Sequence, residues 1–131
     1  MPYLTELIHE GTGLLRLGRG VLTGQEILDV IAAFPEGIST PERITHCLVD
    51  LTGVTRLEVS NRELEAIVAT DSLKLKGTNL TRAAIAAPED LTYGVSNMYR
   101  GHASHSGIEI RVFRTLAEAK AWLCPDGTAK P

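Results

Sequence analysis

The sequence predicts a single α/β domain built on a mostly parallel, mixed sheet flanked by amphipathic helices. Three observations carry this. Segments of strand period and helix period alternate along 131 residues, the size of one domain. Ser/Thr-x-x-Glu capping boxes at Thr23–Glu26, Ser60–Glu63 and Thr115–Glu118 mark helix starts. Hydrophobic residues make up 44% of the chain but aromatic ones only 5%, so the core must be aliphatic, which suits a sheet covered by helices.

The chain opens with a short edge strand, Tyr3 to Glu10, carrying Leu4, Leu7 and Ile8. Gly11-Thr12-Gly13 supplies turn chemistry, and Leu14 to Leu22 returns as a second strand in which Leu15 and Leu17 alternate with Arg16, Gly18 and Arg19. After the Thr23 box, Ile27, Val30, Ile31 and Phe34 recur at helical spacing, and Pro35 and Gly37 stop that helix. Ile44 to Leu51 is apolar on both faces and reads as a central strand. Thr52 to Val59 reads as the loop after it. The Ser60 box opens a second helix with Leu64, Ile67, Val68 and Leu75 buried and Gly77 past its end.

Arg82 to Ala87 reads as a buried strand before Pro88. A third helix follows, with Leu91, Val95, Met98, Tyr99 and His102 on one face and Ser106-Gly107 at its end. Ile108 to Phe113 alternates as a half-exposed strand, and the Thr115 box opens a last short helix with Leu116, Ala119 and Leu123. The order is β-β-α-β-α-β-α-β-α, and repeated β-α units require right-handed crossovers. The domain is expected to span 1–124, with 125–131 a disordered tail lacking hydrophobic period.

A net charge of −3 with singly scattered Lys and Arg argues against nucleic-acid binding, which needs clustered cations. No apolar run reaches the ~18 residues of a membrane span and no signal-peptide pattern opens the chain. Cys47 and Cys124 lack metal or redox spacing and read as thiols of a reducing cytoplasm. His102 and His105 stand three apart on a helix but lack further ligands, so no metal or other cofactor is expected. His46 reads as a hydrogen-bonded core histidine, and as neighbours in a strand His46 and Cys47 point to opposite faces. No nucleophile has a convergent base, which argues against an enzyme.

Val49-Asp50-Leu51-Thr52-Gly53-Val54-Thr55-Arg56-Leu57-Glu58-Val59-Ser60 resembles the signature loop of STAS domains. Arg111-Val112-Phe113 through Ala121-Trp122-Leu123 resembles the closing motif of bacterial SpoIIAA-like proteins, and Ala86-Ala87-Pro88 with Gly94 to Tyr99 is similar to one branch of them. The resemblance covers nearly the whole chain. It implies a STAS-like fold and, by kinship with anti-sigma-factor antagonists, a regulatory module that binds a protein partner. Those antagonists are switched by phosphorylation of a serine at the start of the second helix. Here Glu58 replaces the family's aspartate and Val59 falls on its phosphoserine, leaving Ser60 one position along. Ser60 is better read as a plain N-cap paired with Glu63.

The expectation is therefore a non-enzymatic, cytoplasmic, bacterial binding module, acting through a protein partner and as a homodimer. Its partner surface is the loop and helix start of Thr52, Thr55, Arg56, Glu58, Ser60, Asn61 and Arg62, because open α/β sheets gather sites at the carboxyl ends of their strands. The alternative is a carrier of a small apolar, lipid-like ligand in a pocket lined by Met98, Tyr99 and Trp122. An enzyme using His102, His105 or Glu58 is the third reading.

Overall fold

The computed structural model describes residues 2–104 and 106–124, so His105 and the expected tail 125–131 lie outside the described residues. Strand β1 (Tyr3–Ile8) pairs antiparallel with β2 (Gly13–Thr23) across a tight turn at His9–Gly11. Helix α1 (Gly24–Ala33) leads to β3 (His46–Glu58), α2 (Asn61–Lys74) to β4 (Arg82–Ala86), and α3 (Asp90–His102) to β5 (Glu109–Phe113). Helix α4 (Leu116–Leu123) closes the described chain. The predicted element order and fold class are those observed.

The sheet order is β1-β2-β3-β4-β5, with β2 to β5 all parallel. Because each crossover moves one strand over in the same direction, a constant hand puts α1, α2 and α3 on one face. Their core packs Phe34, Val68, Tyr93 and Val95 against Leu14, Cys47, Leu51, Ala83, Ile85 and Ile110 of the sheet. Among the described residues, α4 is the helix that covers the other face, where Ala119 and Leu123 meet Leu48, Ala84 and Ala86. Alanines on both sides let the short helix lie close to the strands.

All three expected helix starts are capped. Thr23 and Ser60 form complete reciprocal boxes with Glu26 and Glu63, whereas the Thr115 hydroxyl accepts from the Glu118 backbone N–H without the return bond. Gly77 ends a 3₁₀ turn (Leu75–Gly77) after α2 instead of capping the helix itself. Among the described residues, no helix is long and apolar enough to cross a membrane.

Three expectations are corrected. First, Thr52–Glu58 is not a loop but the second half of β3, paired with Arg19–Thr23 of β2. The register slips twice, from Leu17↔Asp50 to Arg19↔Gly53 and from Gly20↔Val54 to Val21↔Arg56, each time with one extra residue on β3. Each bulge reverses the alternation, so the buried residues Leu51, Val54 and Leu57 are spaced by three and match neither strand nor helix period. Second, Arg16 lies on the buried face of β2 with Leu14, and not with the exposed Arg19. Third, α3 presents Thr92, Val95, Ser96 and Tyr99 to the sheet, leaving Leu91 and Met98 exposed. Its small polar residues let the helix sit close, which a hydrophobic stripe does not reveal.

The strand order also removes one argument for a site. Ligand crevices of open α/β sheets form where strand order reverses, and in this sheet it never does.

Candidate functional site: a charged triad in an apolar cavity

A cavity of about 100 Å³ lies between the sheet and helices α1 to α3. Its wall is aliphatic, drawn from Leu22, Ile31, Leu51, Leu64, Ile67 and Ile85 among others, and it also receives Tyr3, Arg16, Cys47, Asp71, Ser96 and Tyr99. That volume matches roughly three waters at liquid density, or one small organic molecule.

The polar groups form a network assembled from three elements. Arg16 comes from β2, placed inward by the pleat. Asp71 comes from α2, seven residues beyond Leu64 and so on the same buried stripe. Tyr99 comes from α3, three residues beyond the buried Ser96. The Arg16 guanidinium donates to both Asp71 oxygens, Nη1 to Oδ2 at 2.9 Å and Nη2 to Oδ1 at 2.8 Å. Tyr99 donates its hydroxyl proton to Oδ2 at 2.6 Å. The side chains of Arg16 and Asp71 are only 5% and 4% exposed, so solvent barely screens the pair.

Asp71 thus has its acceptors filled, but Arg16 does not have its donors filled. Among the described residues its Nε–H is buried without a hydrogen-bond partner, an arrangement that costs about 1–3 kcal/mol. Burial works against the Arg16 charge, yet the adjacent Asp71 carboxylate holds its pKa above the ordinary value. Burial and the same carboxylate push Tyr99 up, so its hydroxyl stays protonated and remains a donor. Burial raises Tyr3 as well, and takes the Cys47 thiol up to about 11. At pH 8 alkylation with iodoacetamide is therefore expected to spare Cys47 in the native protein and to modify it in denaturant, as read by peptide mapping. Fast native labelling of Cys47 would mean that the cavity is open to bulk solvent.

The residues expected to line an apolar pocket are not brought together. Tyr99 reaches the cavity, but Met98 points to solvent at 45% exposure. Trp122 lies across the sheet, packed near Phe113 with the guanidinium groups of Arg82 and Arg111 over its ring at 4.5 and 5.2 Å.

The expected partner residues lie on the second half of β3 and the start of α2 instead of on a loop. Thr52, Thr55, Arg56, Glu58, Ser60, Asn61 and Arg62 are all exposed. Thr52 is tied to Asp50 by a 2.6 Å hydrogen bond, Arg56 to Glu58 by a 2.7 Å ion pair, and Ser60 to Glu63 by the capping box. His102 is exposed at the end of α3.

Sequence reasoning missed Arg16 and Asp71. Asp71 was detectable, since a carboxylate at helical spacing inside an apolar stripe needs a buried partner. Arg16 carried no such mark. It also missed the approach of His46 Nε2 to His9 Nδ1, 2.7 Å apart. Burial, reinforced by Lys120 for His9 and by His9 for His46, lowers both pKa values.

Over 93% of its length the chain superposes on 92% of an uncharacterized DUF3478-family protein from Shewanella loihica PV-4, at 25% sequence identity and a TM-score of 0.50. That protein is described as having a SpoIIAA-like fold. This chain has the SpoIIAA-like fold. The likeness read from the sequence is thereby supported at the level of architecture. No family model and no curated protein matches the chain. Within the SpoIIAA-like fold of this chain, the Arg16–Asp71–Tyr99 network sits in the layer between the sheet and α1 to α3 and not at the exposed second-helix start that the resemblance highlights.

Proposed function

We propose that this protein is a non-enzymatic binding module that holds one small, mainly apolar molecule in the cavity, anchored by Arg16. The observation that supports this most is the unpaired Arg16 Nε–H beside a mainly aliphatic cavity. A buried donor left empty is costly, and a ligand acceptor would fill it. Because Asp71 already balances the guanidinium charge, the site favours a neutral acceptor such as a ketone or ester carbonyl over a second carboxylate.

A second reading, protein binding with a second copy as the partner, is supported by the free edge of β3. No β4 residue pairs beyond Asp50↔Ala86, so the edge from Leu51 to Glu58 is open to strand addition. An antiparallel copy centred on Leu57 would set each Arg56 against Glu58 of the other chain, giving charge complementarity.

Native mass spectrometry of gently purified protein tests both. The cavity reading expects a small-molecule adduct, or uptake of cyclohexanone by the bare protein with a raised thermal midpoint. Both should be absent in a folded Arg16→Met/Asp71→Leu variant. Binding by that variant, or no binding by the wild type, would sink it. The edge reading expects a dimer that Thr55→Pro converts to monomer, and a monomeric wild type would reject it.

A further inference from the structure

At the amino-terminal start of the parallel strands, and on the opposite side of the sheet from the cavity network, three metal-ligating side chains from distant parts of the chain converge. His9 comes from the β1–β2 turn, His46 from the first position of β3, and Cys124 from the residue after α4. Their ligand atoms all lie within 4.8 Å of one another, and all three residues are half-buried. We propose that His9 Nδ1, His46 Nε2 and Cys124 Sγ form a three-ligand site for a zinc-type divalent cation, with a fourth position open to water or a ligand.

Several features prepare this geometry. His9 and Glu10 both take positive φ, at 52° and 57°, an uncommon backbone for residues other than glycine, and the turn they make carries the His9 ring toward His46. Gly13 stands between them in the sheet, paired with Ile8 on one side and His46 on the other. A Cβ on Gly13 would come within 2.6 Å of His46 Nε2 and 2.9 Å of His9 Nδ1. Its backbone is ordinary strand, so what glycine supplies there is room for two ring nitrogens to meet. The rings stack with centroids 4.9 Å apart.

A supporting shell is present too. His46 Nδ1 is 3.1 Å from the Thr45 hydroxyl, which itself reaches the Thr12 carbonyl at 3.4 Å. With the hydroxyl proton directed at that carbonyl, His46 donates through Nδ1 and keeps its Nε2 lone pair for a metal, the orientation that outer hydrogen bonds commonly impose on metal-bound histidine. His9 frees its Nδ1 lone pair by moving its proton to Nε2. Cys124 releases its thiol proton to solvent on coordination.

Two imidazoles and a thiolate match the ligand preference of zinc, and three protein ligands leave one place open in a tetrahedral shell. Zn–N and Zn–S bonds of about 2.0–2.3 Å hold ligand atoms roughly 3.3–3.8 Å apart. The 2.7 Å imidazole contact must therefore open by roughly half an ångström, a small ring rotation. Lys120, the nearby cation, is exposed and can turn its charge to solvent.

The test is a Co²⁺ titration of the untagged, chelator-treated full chain followed by absorption spectroscopy. One equivalent should bind with a thiolate-to-cobalt charge-transfer band and four-coordinate d–d bands, and Zn²⁺ should bleach both. Cys124→Ser should lose the charge-transfer band. His46→Ala, checked for native circular dichroism, should weaken binding at least on the order of a hundredfold, the upper end for losing even an outer hydrogen-bond partner. His102→Ala should change nothing. The site is overturned by a wild type without one-to-one binding, by a Cys124→Ser spectrum that matches wild type, or by binding that depends on His102.

Discussion

Asp71→Ala is expected to lose about 3–5 kcal/mol of stability, the range for removing one partner of a buried ion pair. The magnitude follows from what is left behind. Arg16 cannot shed its proton, and with its side chain 5% exposed its charge would remain inside an aliphatic layer without a counter-ion. Tyr99 would lose its hydroxyl acceptor in the same step. Replacing both charges, as in Arg16→Met with Asp71→Leu, is expected to be neutral or to stabilise by about 1–4 kcal/mol, because the desolvation cost disappears with the pair. Urea denaturation of wild type, single and double variants measures this. A single-mutant loss under about 1 kcal/mol would show that solvent reaches the guanidinium and that the pair is not buried in solution.

Ile31→Ala should cost about 2–5 kcal/mol. Ile31 is 1% exposed, lies on the inner stripe of α1 and forms part of the cavity wall. Truncation adds empty volume to space that is already unfilled, so the neighbours have little to collapse onto, which favours the upper part of the range. The enlarged cavity should accept benzene-sized molecules, and saturation with benzene should raise the thermal midpoint of this variant more than that of wild type. A loss below about 1 kcal/mol would mean that α1 settles into the gap.

The sequence carries the element order almost completely, because each helix begins at a Thr or Ser cap or after Pro88 and each strand is bounded by turn residues. What it did not carry were features that cancel a period. Two one-residue bulges in β3 gave Leu51, Val54 and Leu57 a spacing that no regular element shows. Thr92 and Ser96 face the core of α3 because they are small, so a search for apolar residues chose Leu91 and Met98. The site was hidden for a related reason. Arg16 and Asp71 are far apart in sequence, and only the folded packing of the helices on the sheet shows that each is the other's partner. His9, His46 and Cys124 share no spacing at all; the turn, the strand start and the end of α4 must all be in place before they meet.

The unbroken strand order has a consequence for how the chain is made. Every strand after the first hydrogen-bonds to the one synthesised just before it, so no segment has to thread between two that are already paired. The first hairpin needs only local contacts, and each later β-α unit finds a finished edge waiting as the ribosome releases it. Pairings between sequence neighbours keep contact order low for a mostly parallel sheet. Helix α4, the last described helix to emerge, reaches back across β4 to cover β3.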